Sequence, residues 1–134
     1  MAEFINTVDV IGDDALTDSI ICRTVTEYKD DSITVIGDKA FVECSNLEVV
    51  DTPLLNNIKY LAFDKCSILA VLILRNNGVC TLGSDVFRNT PIKSGTGYIY
   101  VPSALVDSYK SATNWSAFGD QIRAIEDYPD ICGG

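Results

Sequence analysis

The 134-residue sequence contains no histidine. Histidine is the commonest acid-base side chain near neutral pH and the usual nitrogen ligand of zinc. Its absence excludes catalytic triads and metal sites that need imidazole. Only carboxylates remain for acid-base chemistry, and their spacing singles out no pair of them. We therefore expect a protein that is not an enzyme and that carries no catalytic, cofactor or metal site.

Positive charge is also scarce, with 10 Lys and Arg against 19 Asp and Glu and a net charge of -9. Such a surface repels the phosphate backbone and anionic lipid headgroups. No run of about 18 apolar residues is present, and the amino-terminal segment lacks the basic and apolar regions of a secretory signal. We expect a protein made in the cytoplasm, with neither a nucleic acid nor a membrane as its partner.

The cysteines lack the spacing of a metal or redox motif. The sequence has five of them and no CxxC pair, at Cys22, Cys44, Cys66, Cys80 and Cys132. This spacing excludes a zinc knuckle and a thioredoxin-type motif. Because the count is odd and no secretion signal is visible, we predict that all five thiols are free.

The sequence does contain an internal repeat. Residues 36–49 read IGDKAFVECSNLEV and residues 58–71 read IKYLAFDKCSILAV, so seven positions coincide at an offset of 22. A looser third copy starts at Leu82 and places Phe87 at the Phe position and Thr90 at the Cys position, at an offset of 24. Repeats of this length predict a solenoid, in which each coil buries its apolar side chains against the next coil.

Each coil is predicted to hold a short strand, at 47–50 and at 69–73, and a single helical turn at its Ala-Phe-x-x-Cys segment. If Leu47 and Leu69 face inward, alternation along the strands sends the even-numbered residues outward, where strand tyrosines join them. The candidate interface residues are Tyr28, Glu48, Val50, Ala70, Leu72, Tyr98 and Tyr100. A stripe of exposed apolar and tyrosine side chains is typical of a contact surface.

Two structural alternatives remain open for this stripe. The C-terminal helix can fold over the sheet, or a shift of the strands by one residue can exchange the two faces. A second functional hypothesis is an intracellular acidic effector or inhibitor that binds a host protein. The net charge allows this second hypothesis, but the carboxylates are spread along the chain and form no row on a helix.

The flanks of the repeat are predicted to be caps. We divide the chain into an N-terminal helical cap (1–24), a repeat solenoid (25–101), a C-terminal cap of strand and helix (102–127) and a flexible tail (128–134) that ends in Gly133-Gly134. Ser103 is the predicted N-cap of the C-terminal helix. Asp13 and Asp14 are assigned to a helix N-terminus in preference to a calcium site, because they lack the spacing of a calcium loop.

The motif I-x(3)-A-F-x(2)-C-x(2)-L and the ending YIYVPSALVDSYKSATNWSAFGDQIRAI resemble BspA-type leucine-rich repeats, over about residues 33–126. Among these proteins the chain is most similar to short members encoded in phages and prophages of Firmicutes. The resemblance implies an α/β leucine-rich-repeat solenoid that acts as a non-enzymatic protein-protein or surface-recognition module. It also implies a phage virion component, made in a bacterial cytoplasm and placed at the tail or host contact. Its partner would be a second copy, another protein or a host surface glycan.

Overall fold

The computed structural model of the chain describes residues 10–11, 25–29 and 31–133. Within these residues, two parallel sheets receive strands from successive coils. The four-stranded sheet contains, in spatial order, β1 (Val10–Ile11), β3 (Val35–Ile36), β5 (Asn57–Ile58) and β7 (Thr81–Leu82). The five-stranded sheet contains β2 (Glu27–Lys29), β4 (Val49–Asp51), β6 (Val71–Ile73), β8 (Tyr98–Val101) and β9 (Ile122–Ala124). From β1 to β8 the strands of the two sheets alternate along the chain, as a solenoid requires, and β9 then adds to the five-stranded sheet.

The strand pairing confirms the sequence repeat. Ile36 pairs with Ile58, which is the predicted offset of 22, and Ile58 pairs with Leu82, which is the predicted offset of 24. In the other sheet Val49 pairs with Val71. The third copy is therefore a true coil, and the predicted repeat solenoid is confirmed.

The third side of each coil is a turn segment, at residues 38–43, 60–65 and 84–89, and we call the stack of these segments the turn ladder. The sequence predicts a single helical turn here, but only alternate N–H groups bond within the segment, as Val42 does to the Lys39 carbonyl at 3.3 Å. The others donate to the next coil, as Phe41 does to the Ala62 carbonyl at 2.8 Å. The physical reason is the left-handed backbone at Lys39, Glu43, Leu61, Lys65, Asp85 and Asn89, which turns every second N–H outward from its coil.

The core is a column of aromatic rings along the solenoid axis. Ring centroids are 4.9 Å apart for Tyr28 and Phe41, 5.1 Å for Phe41 and Phe63, and 6.1 Å for Phe63 and Phe87. Trp115 continues the column 6.1 Å beyond Phe87. The predicted burial of apolar side chains between successive coils is therefore confirmed, because the repeated phenylalanines stack and link each coil to its neighbours.

The inner face of the five-stranded sheet carries Tyr28, Val50 and Leu72, which are each 0% exposed. The sequence analysis assigns these three side chains to an exposed interface, and that assignment is wrong. Val49 and Val71, which the sequence assigns to the core, lie half-buried on the opposite face. The alternative of a one-residue shift is therefore the correct one for these strands.

The cause of the shift is a double hydrogen bond at the start of each strand. The N–H groups of Glu48 and Val49 both donate to the Thr26 carbonyl, at 2.8 and 3.2 Å. The N–H groups of Ala70 and Val71 likewise both donate to the Glu48 carbonyl, each at 3.1 Å. Two residues of one strand therefore oppose one residue of the neighbouring strand, as in a β-bulge. The inward-outward alternation slips by one position at this point. As a result, the leucine before each bulge and the central residue of the strand after it both face inward.

The C-terminal end of the solenoid is covered by short helices and 3-10 segments. Helix α1 spans Pro91–Ser94 and α2 spans Val106–Ser111, with 3-10 turns at Ser103–Leu105 and Ser116–Gln121. The helix predicted here is present, but Ser103 is not its N-cap. Its N–H and hydroxyl instead donate to the carboxylate of Glu126, at 2.9 and 3.2 Å.

Three side chains of this cap satisfy backbone groups around the last strand of the four-stranded sheet. The Tyr109 hydroxyl accepts from the Cys80 N–H at 2.8 Å, and the Trp115 indole donates to the Cys80 carbonyl at 2.6 Å. The Asn114 amide donates to the Leu82 carbonyl at 2.7 Å. Side chains thus replace the strand that a further coil would supply.

Apart from Val10 and Ile11, the predicted N-terminal helical cap lies outside the described residues, as do Asp13 and Asp14. The strand Val10–Ile11 falls within the segment assigned to that cap and pairs in parallel with β3. At least this part of residues 1–24 belongs to a sheet of the solenoid.

Cys44 is disulfide-bonded, so the prediction of five free thiols is wrong for this residue. Cys66, Cys80 and Cys132 are free. The Cys66 thiol instead donates to the Phe41 carbonyl at 3.0 Å.

Candidate functional site

The outer face of the five-stranded sheet changes in character from one edge to the other. Strand pairing aligns two rows of outward side chains, one made of Glu27, Val49, Val71 and Tyr98 and the other of Lys29, Asp51, Ile73, Tyr100 and Arg123. The face is therefore charged at its first strand and aromatic at its fourth. Half-buried Tyr98 beside Arg123 is a composition typical of protein interfaces.

The C-terminal segment, residues 125–133, folds across this face. It consists of a 3-10 turn at Ile125–Asp127 and helix α3 at Pro129–Cys132. Cys132 packs with Ile73 and Tyr100 in a second cluster of buried side chains, and the ring of Tyr128 meets that of Tyr100 edge-on at 5.3 Å. The segment predicted as a flexible tail is thus packed against the sheet.

Arg75 fixes this segment to the sheet. Its guanidinium forms two hydrogen bonds of 2.9 Å with the Asp51 carboxylate and also donates to the carbonyl of Cys132. The bond to Asp51 raises the pKa of Arg75 above its ordinary value. The guanidinium therefore stays charged and joins strand β4 to the C-terminal segment.

A groove of about 450 Å³ lies between the aromatic edge of the sheet and the C-terminal segment. It is lined by Ala70, Val71, Thr96, Tyr98, Tyr100, Arg123, Tyr128 and Ile131, and we call it the aromatic groove. The Arg123 guanidinium lies 4.6 Å from the centroid of the Tyr98 ring, in a cation-π contact that orients both side chains. Ile131 is 46% exposed and presents apolar surface at the rim.

A smaller groove of about 210 Å³ lies on the other side of the C-terminal segment. Its lining contains charged groups of the first strands, Glu27, Lys29 and Asp51, together with Asp130. Val71 and Ile131 line both grooves, so helix α3 divides the outer face into an aromatic half and a charged half.

The predicted interface residues are only partly brought together. Ala70, Tyr98 and Tyr100 line the aromatic groove, but Tyr100 is only 3% exposed because it packs with Ile73 and Cys132, so its assignment to the exposed stripe is wrong. Glu48 is exposed but lies outside the groove lining. The other three, Tyr28, Val50 and Leu72, are buried in the core.

Sequence reasoning missed the part of the groove that comes from Thr96, Arg123, Tyr128 and Ile131. The apolar residues Ile131 and Cys132, which follow Pro129 in an otherwise polar tail, are the signal that could have indicated a packed segment. The position of Arg123 has no comparable signal, because it depends on strand β9 adding to the sheet edge.

Burial governs the reactivity of two cysteines in the core. Burial raises the pKa of the Cys66 thiol and of the Cys80 thiol to about 12 each, so neither is a nucleophile near neutral pH. In the part of the chain that the structure covers, no three His, Cys, Asp or Glu side chains are placed to hold a metal ion. Nor does any helix there have the length and apolarity needed to cross a bilayer.

Parallel coils, an aromatic core column and an exposed groove define a leucine-rich-repeat solenoid with the features of a recognition module. A model of the BspA type leucine rich repeat region matches residues 2–112 in six copies. The chain therefore belongs to the BspA-type leucine-rich-repeat family, whose repeat regions are generally non-enzymatic modules for protein-protein or surface recognition. No curated protein matches the chain.

Proposed function

We propose that the protein binds another protein through the aromatic groove. The observation that carries this proposal is the convergence of Tyr98, Tyr100, Tyr128 and Arg123 beside the exposed side chain of Ile131. Tyrosine and arginine are enriched in protein interfaces because they combine large contact area with hydrogen bonding. The charged half of the same face supplies a polar rim.

Site-directed photocrosslinking tests this proposal because it reports which position of the chain touches a bound protein. p-Benzoylphenylalanine replaces Tyr98 in one variant and Tyr60 in the other, since Tyr60 is 42% exposed and belongs to the turn ladder, not to the sheet. Illumination in the producing cell should give defined adducts from position 98 and none of the same mass from position 60. Adducts common to both positions, or none at position 98, would contradict the proposal.

The partner and its setting form a second, more specific proposal. The resemblance to phage-encoded repeat proteins supports a virion component that is made in a bacterial cytoplasm and contacts either a second copy, another tail protein or the host surface. Mass spectrometry of particles purified by density gradient tests this setting directly. Stoichiometric recovery of the chain with the particles is expected, and its exclusion from intact particles would eliminate the virion role while leaving the aromatic groove as a binding site.

A further inference from the structure

The turn ladder ends differently from the two sheets. In the first coil the N–H groups of Lys39, Phe41 and Glu43 donate to carbonyls of the second coil, at 3.0, 2.8 and 2.9 Å. In the second coil the N–H groups of Leu61, Phe63 and Lys65 donate to carbonyls of the third coil, at 3.3, 3.1 and 2.9 Å. Each coil therefore presents a row of three donors, two residues apart, to the coil that follows it.

The third coil presents the same row from Asp85, Phe87 and Asn89. Asp85 and Asn89 have the left-handed φ of their equivalents, at 56° and 61°, so these N–H groups are also turned away from the preceding coil. Among the described residues, no hydrogen bond has any of these three N–H groups as donor. The ladder thus ends in three free backbone donors in a row.

A cavity of about 230 Å³ lies at this end of the ladder. Its lining includes Asp85, Phe87, Arg88, Lys93 and Phe118. The ring of Phe87 is already covered by Phe118, edge-on at 5.5 Å. The cap therefore closes the aromatic column, while the backbone edge beside it stays open.

Each turn segment forms one rung of the ladder, and oppositely charged side chains on neighbouring rungs form ion pairs. Lys65 lies 3.6 Å from Glu43 of the preceding rung, and Arg88 forms two hydrogen bonds with Asp64, at 3.1 and 2.8 Å. Arg88 remains 48% exposed, and Lys93 lies beside it on the cavity wall. A further rung that continued this pattern would place a carboxylate next to these two cations.

We propose that the open end of the turn ladder binds an extended acidic segment of a partner protein, which adds one rung to the ladder. Three donors spaced two residues apart match the carbonyls of an extended chain, whereas a single carboxylate cannot reach all three. Lys93, which has no ion-pair partner among the described residues, favours an acidic side chain, because Arg88 is already paired with Asp64. The Phe118 ring already covers Phe87, so the residue at the Phe position of the added rung must be small. This mode of binding resembles the addition of a strand to a sheet edge.

Hydrogen exchange of the free protein is the first test. The amides of Leu61, Phe63 and Lys65 should be protected, while those of Asp85, Phe87 and Asn89 should exchange at least about 100-fold faster because no acceptor holds them. Equal protection of both rows would show that the ladder is closed, and would overturn the proposal.

Peptide titration followed by amide NMR is the second test. The probe is an acetylated and amidated peptide of residues 60–65 with Phe63→Ala and Lys65→Gln, which keeps Asp64 as its only charged side chain. It should shift the amides of Asp85, Phe87 and Asn89 saturably and slow their exchange. The same peptide with the further change Asp64→Lys is the control and should bind at least about threefold more weakly.

Variants of the protein separate the site from general charge effects. Lys93→Glu should weaken binding of the probe peptide by about threefold. Lys110→Glu, which reverses an exposed charge outside the cavity lining, should leave the affinity unchanged. Identical amide shifts with acetate would indicate a simple anion site, and shifts that grow with protein concentration alone would indicate a second copy. Either result would overturn the assignment to an acidic peptide segment. This site does not overlap the aromatic groove, so the two proposals fail independently.

Discussion

The two faces of the five-stranded sheet are built from alternate residues of the same strands, yet they differ in almost every property. On the inner face Val50 and Leu72 are fully buried and continue a single apolar row through all five strands. On the outer face the side chains change from charged to aromatic, and one short segment covers part of them. The inner face therefore fixes the fold, whereas the outer face can vary and is suited to recognition.

Introducing lysines on the inner face, and in a matched variant on the outer face, should give the largest difference in stability. Val50→Lys combined with Leu72→Lys would bury two lysines without partners, so we expect several kcal/mol of destabilisation for each and an unfolded or insoluble protein. The matched variant, Val49→Lys with Val71→Lys, should stay folded because these half-buried positions let a lysine reach solvent. Circular dichroism and thermal unfolding measure both, and equal stability of the two variants would contradict the assignment of faces.

Removing one ring from each side of the sheet sharpens the comparison. Phe63→Ala should lower the free energy of unfolding by about 3–5 kcal/mol, because it leaves a cavity in the middle of the aromatic column. Tyr100→Ala on the outer face should cost less, about 2 kcal/mol, because its cluster lies at the edge of the molecule and can close around the gap. Urea titration gives both values, and a larger loss for Tyr100→Ala would mean that the outer cluster is the main core.

Asp64 lies in the turn ladder, on neither face of the five-stranded sheet, and its variant therefore gives a reference value for the loss of stability. Its hydrogen bonds with Arg88 lower its pKa below the ordinary value, so the ionised carboxylate stabilises the folded state. This contribution is complete above the unfolded-state pKa of about 4 and is lost as the pH falls through the lower folded-state pKa. Asp64→Asn should cost about 1–2 kcal/mol at pH 7, and the difference from the native chain should shrink at about pH 3. A pH-independent difference would assign the effect to packing.

Releasing the C-terminal segment should give the smallest change in stability. Arg75→Ala removes the contacts with Asp51 and with the Cys132 carbonyl, and should cost about 1 kcal/mol. Burial raises the pKa of the Cys132 thiol, so its release should accelerate alkylation at pH 8. The thiols of Cys66 and Cys80 are internal controls whose rates should not change. Unaltered alkylation of Cys132 would show that Arg75 does not hold the segment.

The repeat could be derived from the sequence because one ring position recurs at a fixed spacing. Phe41 and Phe63 predict both the coil length and the stacked core, and Phe87 extends it despite two extra residues. The faces of the strands could not be derived by the same counting. A bulge at Glu48 has no residue signature of its own, and it moves every later side chain to the opposite face.

The turn ladder and the outer surface of the sheet could not be predicted from the sequence, for related reasons. Lys39 and Glu43 adopt left-handed backbone without the glycine or asparagine that would indicate it. The disulfide at Cys44 depends on which cysteine lies nearby in three dimensions. The aromatic groove depends on a mostly polar C-terminal segment, in which only Ile131 and Cys132 indicate packing.

The unequal number of residues in successive coils has a consequence for how this molecule tolerates changes of length. Paired strands stay one ladder spacing apart whether the chain between them runs 22 residues, as from Val49 to Val71, or 27, as from Val71 to Tyr98. The additional residues of a longer coil must therefore form loops that project from the solenoid between its strands and its turn segment. The exposed corner at Asn77, Gly78 and Val79 is such a loop, with no heavy atom within 4 Å of a Cβ added at Gly78. A peptide tag inserted there would lengthen the chain without lengthening the solenoid.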